Sequence, residues 1–506
     1  MALNVPPGRK GFLIELRETI AYLLDGDNFI KERTEEFGPV FSTTLFFRPT
    51  VVVGGQKNVA ELLEVEQSVV AESSLPPPLQ ALMTDRNLLL QSGQRHAASR
   101  RMMAPILNAD ALKSYLPTIE RRTEEYIAKL SQRDETYLAK DLVRFCLQLF
   151  AELFCGHALT EEEEELFTVY NGGLFALTTW EPSFVAARRA RETLDANMRR
   201  RFEDARRDGL LETDRFAVFR HISSAVDEKG ERSYDPGYGV TQLIWGAYIE
   251  AASLMCSSVR SLLSRPDCAA RVRAEAAAAG VLGPSQSTRL GDWALPYATG
   301  VLRESLRVSP PAGGGFRLAG APIQIGGYDI PAGVVVTADP RVNNRDPSLF
   351  PNPGLFEPER WVPAAAAAAG DGAKAAGGGG GRCPLASTAA QLSKAAWFPA
   401  GTGVHQCPGV PLAELACKVP PTTHPPRCPW LTPPPSLLPS RRPAAGERPM
   451  TEWGVGARPG SASHCFRGLP LRSRRAHGPP PGAVRRRPLR AAAHEMRRGR
   501  ERGRRC

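Results

Sequence analysis

Apolar side chains recur three to four positions apart through most of the middle of this 506-residue chain. That spacing places them on one face of an α-helix. It predicts helices near 93–107, 109–131, 140–157, 161–175, 186–208, 238–264 and 296–308, punctuated by Pro182, Pro236 and Pro266. The period shortens to two in G-P-V-F-S-T-T-L-F-F-R-P-T-V-V-V-G (38–54), which predicts two strands joined at R-P-T. It shortens again at 321–337, read as a small hairpin sheet. Two stretches carry no period. Residues 364–381 are a run of alanines followed by glycines, so 364–392 is expected to be a surface insertion outside any packed core. From about 419 onward the chain is Pro, Arg and Gly, expected to be a disordered tail or the translation of a retained intron. The resulting expectation is one mainly helical domain with small sheets (α+β) over 1–418, followed by a tail over 419–506.

Charge changes one part of that picture. A net charge of +11 invites a nucleic-acid or membrane partner. The tail, however, holds 19 Arg and 4 Glu with no Lys, whereas the first 418 residues hold 45 basic and 49 acidic groups. The globular part is therefore mildly acidic, and no nucleic-acid partner is expected for it. Ten cysteines stand at 146, 155, 256, 268, 383, 407, 417, 428, 465 and 506, with no C-x-x-C pair. They do not suggest a zinc or dithiol site, and their lack of pattern suits an intracellular, reducing compartment. No apolar run of roughly 18 residues suits a transmembrane helix, and the N-terminus lacks the apolar core of a signal peptide.

The chemistry concentrates in A-G-T-G-V-H-Q-C-P-G, residues 400–409. Gly401, Gly403 and Gly409 bracket Cys407, and glycine lets backbone bend sharply and approach a flat ligand. Free N–H groups in such a bend, together with nearby positive charge, favour a thiolate. The helix-forming segment L-A-E-L-A-C-K (412–418) would place the sulfur near a helix N-terminus. Alone, Cys407 would read as a buried free thiol. Other candidate motifs surround it. E-S-L-R (304–307) sets Glu304 and Arg307 on one helix face, and F-E-P-E-R-W (356–361) carries Arg360. P-P-A-G-G-G-F-R (310–317) ends on Arg317, and G-Q-R-H-A-A-S-R-R (93–101) places His96 and Arg100 four apart, with Arg101 as competitor. The helix at 238–264 contains G-A-Y-I-E-A-A-S (246–253), in which Glu250 has apolar neighbours.

The decapeptide resembles the haem-binding loop of the cytochrome P450 family, with Gly401, Gly403, His405, Cys407 and Gly409 at the family's spacing. Ala400 stands where the family has Phe, and the nearest Phe is Phe398. The resemblance extends over roughly 5–418 and is similar to the cyanobacterial and animal retinoid-type subgroup at 310–317. It implies a haem–thiolate fold lacking its usual C-terminal sheet, with haem b (iron protoporphyrin IX) as cofactor and Cys407 as iron ligand. By the same resemblance His405, Arg317, His96 and Arg100 would hold the haem propionates. Glu304, Arg307 and Arg360 would form a structural ion triad. Where the family's long helix has an acid followed by threonine, this chain has either Glu250–Ala251 or Glu250 itself in the threonine's place, and Ser253 lies further along. Glu250 is the candidate proton carrier. The activity implied is hydroxylation of a small apolar lipid (isoprenoid, sterol or retinoid-like) with O2. Electrons would come from an NADPH-dependent reductase or a ferredoxin, and the protein is expected to be monomeric. A reductase-independent isomerase or peroxygenase and a truncated non-catalytic haem binder are the alternatives.

Overall fold

The computed structural model describes residues 3–9, 11–71, 74–133, 135–224, 235–279, 295–362, 392–418 and 471–472. The chain enters through helices α1 (Phe12–Leu24) and α2 (Gly26–Phe37), then strands β1 (Val40–Leu45) and β2 (Arg48–Val53). Helix α3 (Gln56–Glu64), strand β3 (Val69–Val70) and helices α4 (Pro77–Met83), α5 (Gly93–Met103) and α6 (Ala109–Ser131) follow. A two-residue strand β4 (Glu135–Thr136) precedes α7 (Leu138–Cys155), α8 (Glu161–Gly172), α9 (Pro182–Arg207), α10 (Ala217–Ser224), α11 (Pro236–Ser264), α12 (Pro266–Ala278) and α13 (Pro296–Val308). Strands β5 (Phe316–Ala319), β6 (Ile323–Ile325), β7 (Tyr328–Ile330) and β8 (Val335–Ala338), the short helix α14 (Pro340–Asn344) and helix α15 (Val410–Lys418) complete the body.

The helices fall where the 3.6-residue period places them. Their starts show how the prolines act. Pro182, Pro236, Pro266 and Pro296 each occupy the first turn of a helix, where a missing N–H costs nothing and the fixed φ is already helical. They begin helices rather than separate them. Asp235 caps α11 by accepting the Tyr238 N–H at 3.0 Å. Thr160 and Glu163 form a reciprocal capping box at α8. The long helix α11 runs through the main core and packs against α7, α9, α13 and α15.

Two sheet expectations need correction. The turn between β1 and β2 is at Phe46–Phe47, both with positive φ (51° and 60°), and R-P-T lies inside β2. Pro49 is tolerated because β2 pairs with β8 only from Thr50 onward, so no ladder bond is lost there. Of the segment 321–337, only β6 and β7 form the hairpin; Val335–Ala338 joins a five-stranded sheet of order β1-β2-β8-β5-β3. The 364–392 insertion lies outside the described residues except Leu392. Within the tail expected to be disordered, a two-residue strand β9 (Leu471–Arg472) pairs antiparallel with β4, and the remainder lies outside the described residues.

Candidate active site

The loop before α15 is built by its glycines. Gly401 and Gly403 adopt positive φ (84° and 66°), a conformation that a Cβ would strain. At 403 a Cβ would also lie 2.2 Å from the Glu66 carboxylate, which accepts the Val404 N–H at 3.0 Å. The Cys407 N–H donates to the Ala400 carbonyl (2.9 Å) and closes the bend. The Gly409 N–H points at Cys407 Sγ, 3.4 Å away. Asn343 anchors the approach to this loop, donating to the Ala395 and Ala396 carbonyls (2.9 and 3.1 Å) and accepting from the Gly55 N–H (2.6 Å).

Cys407 opens onto a cavity of about 1800 Å3. Burial raises its thiol pKa, while the Gly409 and Val410 N–H groups and Arg100 pull it down and lose to burial. The loop donors and the nearby positive charge thus act in the expected direction, and burial outweighs them.

Four donors line the same cavity: His96, Arg100, Arg317 and His405. The His96 and His405 rings lie 3.9 Å apart. Arg100 donates to the Gln406 carbonyl at 2.8 Å, tying α5 to the cysteine loop. Arg317 donates to the Phe316 carbonyl at 2.6 Å. Arg101 is exposed and does not line the cavity. Burial, then the cations Arg317, His96 and Arg100, hold the His405 pKa down at about 3. Such a crowd of donors suits an anion with more than one carboxylate.

Helix α11 forms another part of the wall. Gly246, Ala247, Glu250, Ala251 and Leu254 all line the cavity, so the acid and the residue after it face the same space. Ser253 is buried and is not part of that lining. Burial lifts the Glu250 pKa to about 7, and its charge in turn raises that of Cys407.

Behind the cavity, Glu304 is fully buried. It accepts from Arg307 Nη2 (2.8 Å) and Nε (2.9 Å), from Trp361 Nε1 (2.8 Å) and from the Glu357 N–H (2.9 Å). Arg360 Nε stands 3.4 Å from the same carboxylate, and its Nη2 is 2.6 Å from Glu357. The structure therefore brings Glu304, Arg307 and Arg360 together. Trp361 and the Glu357 backbone are partners that sequence reasoning missed, although both lie inside the F-E-P-E-R-W motif. Glu66 and Asn343 were missed too: they reach the cysteine loop from distant parts of the chain, and no local pattern marks either.

A helical body with a cysteine loop opening on a large cavity beside converging cations defines a haem–thiolate protein. A volume of about 1800 Å3 exceeds the roughly 300–1,000 Å3 of a pocket for one small ligand, leaving room for a macrocycle and a substrate together. The cytochrome P450 family pattern matches residues 24–232 and 238–423, and the chain belongs to that family. It is thus a monooxygenase-type oxidoreductase whose cofactor is haem b. It is 27% identical over 424 residues to putative cytochrome P450 120 of Synechocystis, covering 83% of this chain and 89% of that protein. It is 26% identical over 436 residues to human cytochrome P450 26B1, covering 82% and 80%. Among solved structures, retinoic acid-bound cyanobacterial CYP120A1 superposes with a TM-score of 0.69 at 27% identity, covering 83% of this chain and 91% of that one. No described helix is long and apolar enough to cross a membrane.

Proposed function

We propose that this protein hydroxylates an apolar, retinoid-like lipid, taking electrons from a separate NADPH-dependent reductase or ferredoxin and acting as a monomer. The observation that carries this reading is the single cavity shared by Cys407, the four-donor cluster and an apolar wall that includes Phe150, Leu243, Ile249 and Leu254. Similarity to a protein whose structure holds retinoic acid supports the substrate class. In this reading Cys407 ligates the iron, and His96, Arg100, Arg317 and His405 hold the propionates. Bound haem supplies the activation of dioxygen and the transfer of one oxygen atom to the substrate. The chain's own residues do the rest. The α11 wall excludes water and orients the apolar substrate, and Glu250 holds a proton at its carboxyl within the cavity.

Titrating the haem-loaded protein with retinoic acid is expected to shift the Soret band toward the high-spin form. With NADPH and a reductase, a product one oxygen atom heavier should appear. No spectral shift and no product would remove the retinoid assignment. The cradle has its own test. A hydrogen bond to a charged group contributes about 1.5–3 kcal/mol, so Arg317→Ala should speed haem loss to apomyoglobin by about 10- to 100-fold. Unchanged transfer kinetics would dismiss Arg317 as a propionate partner.

A further inference from the structure

Helix α1 brings one polar group to the cavity. Tyr22 is buried in the fold and forms part of the cavity wall together with Phe46, Gly313 and Gly315. Its ring is held edge-on against Phe29 and Phe46, with centroids 5.7 and 5.9 Å away. Phe46 packs in turn on Phe316 at 5.8 Å, so α1, the β1–β2 turn and the segment before β5 meet in one corner. Arg341 Nη2 donates to the Tyr22 hydroxyl oxygen at 3.2 Å and to Asp339 at 2.6 Å. The hydroxyl therefore accepts a hydrogen bond, yet its own proton goes to no described residue. A buried O–H without an acceptor forfeits a bond it would make in water. Burial outweighs Arg341 and pushes the phenol pKa up, so the proton stays on the oxygen at neutral pH.

The adjoining wall has the same character. Residues 312–315 line the cavity, and the N–H groups of Ala312, Gly313, Gly314 and Gly315 donate to no described residue. Position 313 requires glycine: a Cβ there would lie 2.3 Å from Arg341 Nη2 and 2.9 Å from the Tyr22 hydroxyl. Without a side chain, the backbone lies directly on the Tyr22–Arg341 pair. One corner of the cavity thus collects hydrogen-bond donors with no protein acceptor for them. A pure hydrocarbon would leave them all unpaired. A carbonyl-type oxygen, with two lone pairs to fill, suits them.

We propose that Tyr22 is a specificity-determining residue whose hydroxyl donates to a carbonyl or carboxylate oxygen at the polar end of the lipid, beside the free N–H groups of 312–315. Both groups present the same kind of acceptor. The inference rests on the retinoid-like reading of the cavity. A haem propionate is the rival occupant, because Gly315 adjoins Arg317: a Cβ at 315 would lie 3.2 Å from Arg317 Nη1.

The test uses the full-length haem-loaded protein and three ligands of one carbon skeleton: retinoic acid, retinal, and axerophthene, the hydrocarbon without the oxygen. Soret titrations give a Kd for each. Tyr22→Phe keeps the ring in its place against Phe29 and Phe46 and removes only the hydroxyl. It should weaken retinoic acid about 10- to 100-fold and retinal about 3- to 10-fold, the difference between a charged and a neutral acceptor. Axerophthene should change less than about twofold, since it has no acceptor to lose. Equal weakening of all three ligands would make Tyr22 a packing residue and overturn the proposal. Unchanged affinities with faster haem transfer to apomyoglobin would place a propionate in the corner and overturn it as well. Unchanged affinities with unchanged haem transfer would remove any role for the hydroxyl. In the last two cases the retinoid-like reading stands. A wild type that binds none of the three overturns that reading and this inference with it.

Discussion

Cys407→Ala is expected to abolish the red-shifted Soret band of the reduced, CO-bound protein, and oxygen transfer with it, while leaving the helical circular dichroism in place. The bend at 400–409 is held by backbone: the Cys407 N–H to Ala400 carbonyl bond, the positive-φ glycines and the Glu66 contact to Val404. None of these needs the sulfur, so its loss removes the iron ligand without removing the loop. Cys417 is the natural control. It is buried in α15, burial pushes its thiol pKa up strongly, and it does not line the cavity. Cys417→Ala should therefore keep the band. If the band survived in the Cys407 variant, another atom would be the axial ligand and the assignment of the loop would fail.

The cysteine loop was legible because its chemistry is local: glycines, a cysteine and a histidine at fixed spacing within ten residues. The long helices were legible because each buries one apolar stripe. The N-terminal helices were not. Helices α1 and α2 face each other through a buried Arg33–Glu18 ion pair, with Thr43 donating to the same carboxylate at 2.9 Å. Charged groups thus occupy inward positions and break the apolar period that would announce a helix. The misplaced turn before β2 has a similar cause. Pro49 is the strongest turn signal in that stretch, yet the reversal is made by two phenylalanines whose positive φ no composition rule suggests. At the site, E-S-L-R fixed the spacing of one ion pair and said nothing of Trp361, whose indole N–H completes the carboxylate from 57 residues away.

Removing Glu304 should produce the largest loss of stability in the molecule. Its two oxygens accept four hydrogen bonds, which fills the capacity of a carboxylate. Glu304→Ala would leave the guanidinium groups of Arg307 and Arg360, each 2% exposed, without that counter-charge. Breaking a buried pair from one side costs about 3–5 kcal/mol. Arg307→Ala should cost as much, since Arg307 also donates to the Asn344, Pro353 and Leu355 carbonyls and so joins α13 to the segment that leads to Trp361. Arg360→Ala should cost less, because its other partner, Glu357, is about one-third exposed and can turn to water. Urea denaturation of the haem-loaded variants checks the order Glu304→Ala and Arg307→Ala above Arg360→Ala. The damage should also reach the haem. Trp361 packs on Trp397 with ring centroids 4.5 Å apart, and Trp397 lies three residues before Ala400. Variants that unseat Trp361 should therefore release haem faster even below their unfolding midpoint. A Glu304→Ala protein that lost less than about 1 kcal/mol would show the carboxylate acting as an ordinary surface ion pair, and the cluster would no longer account for how the cysteine loop is held.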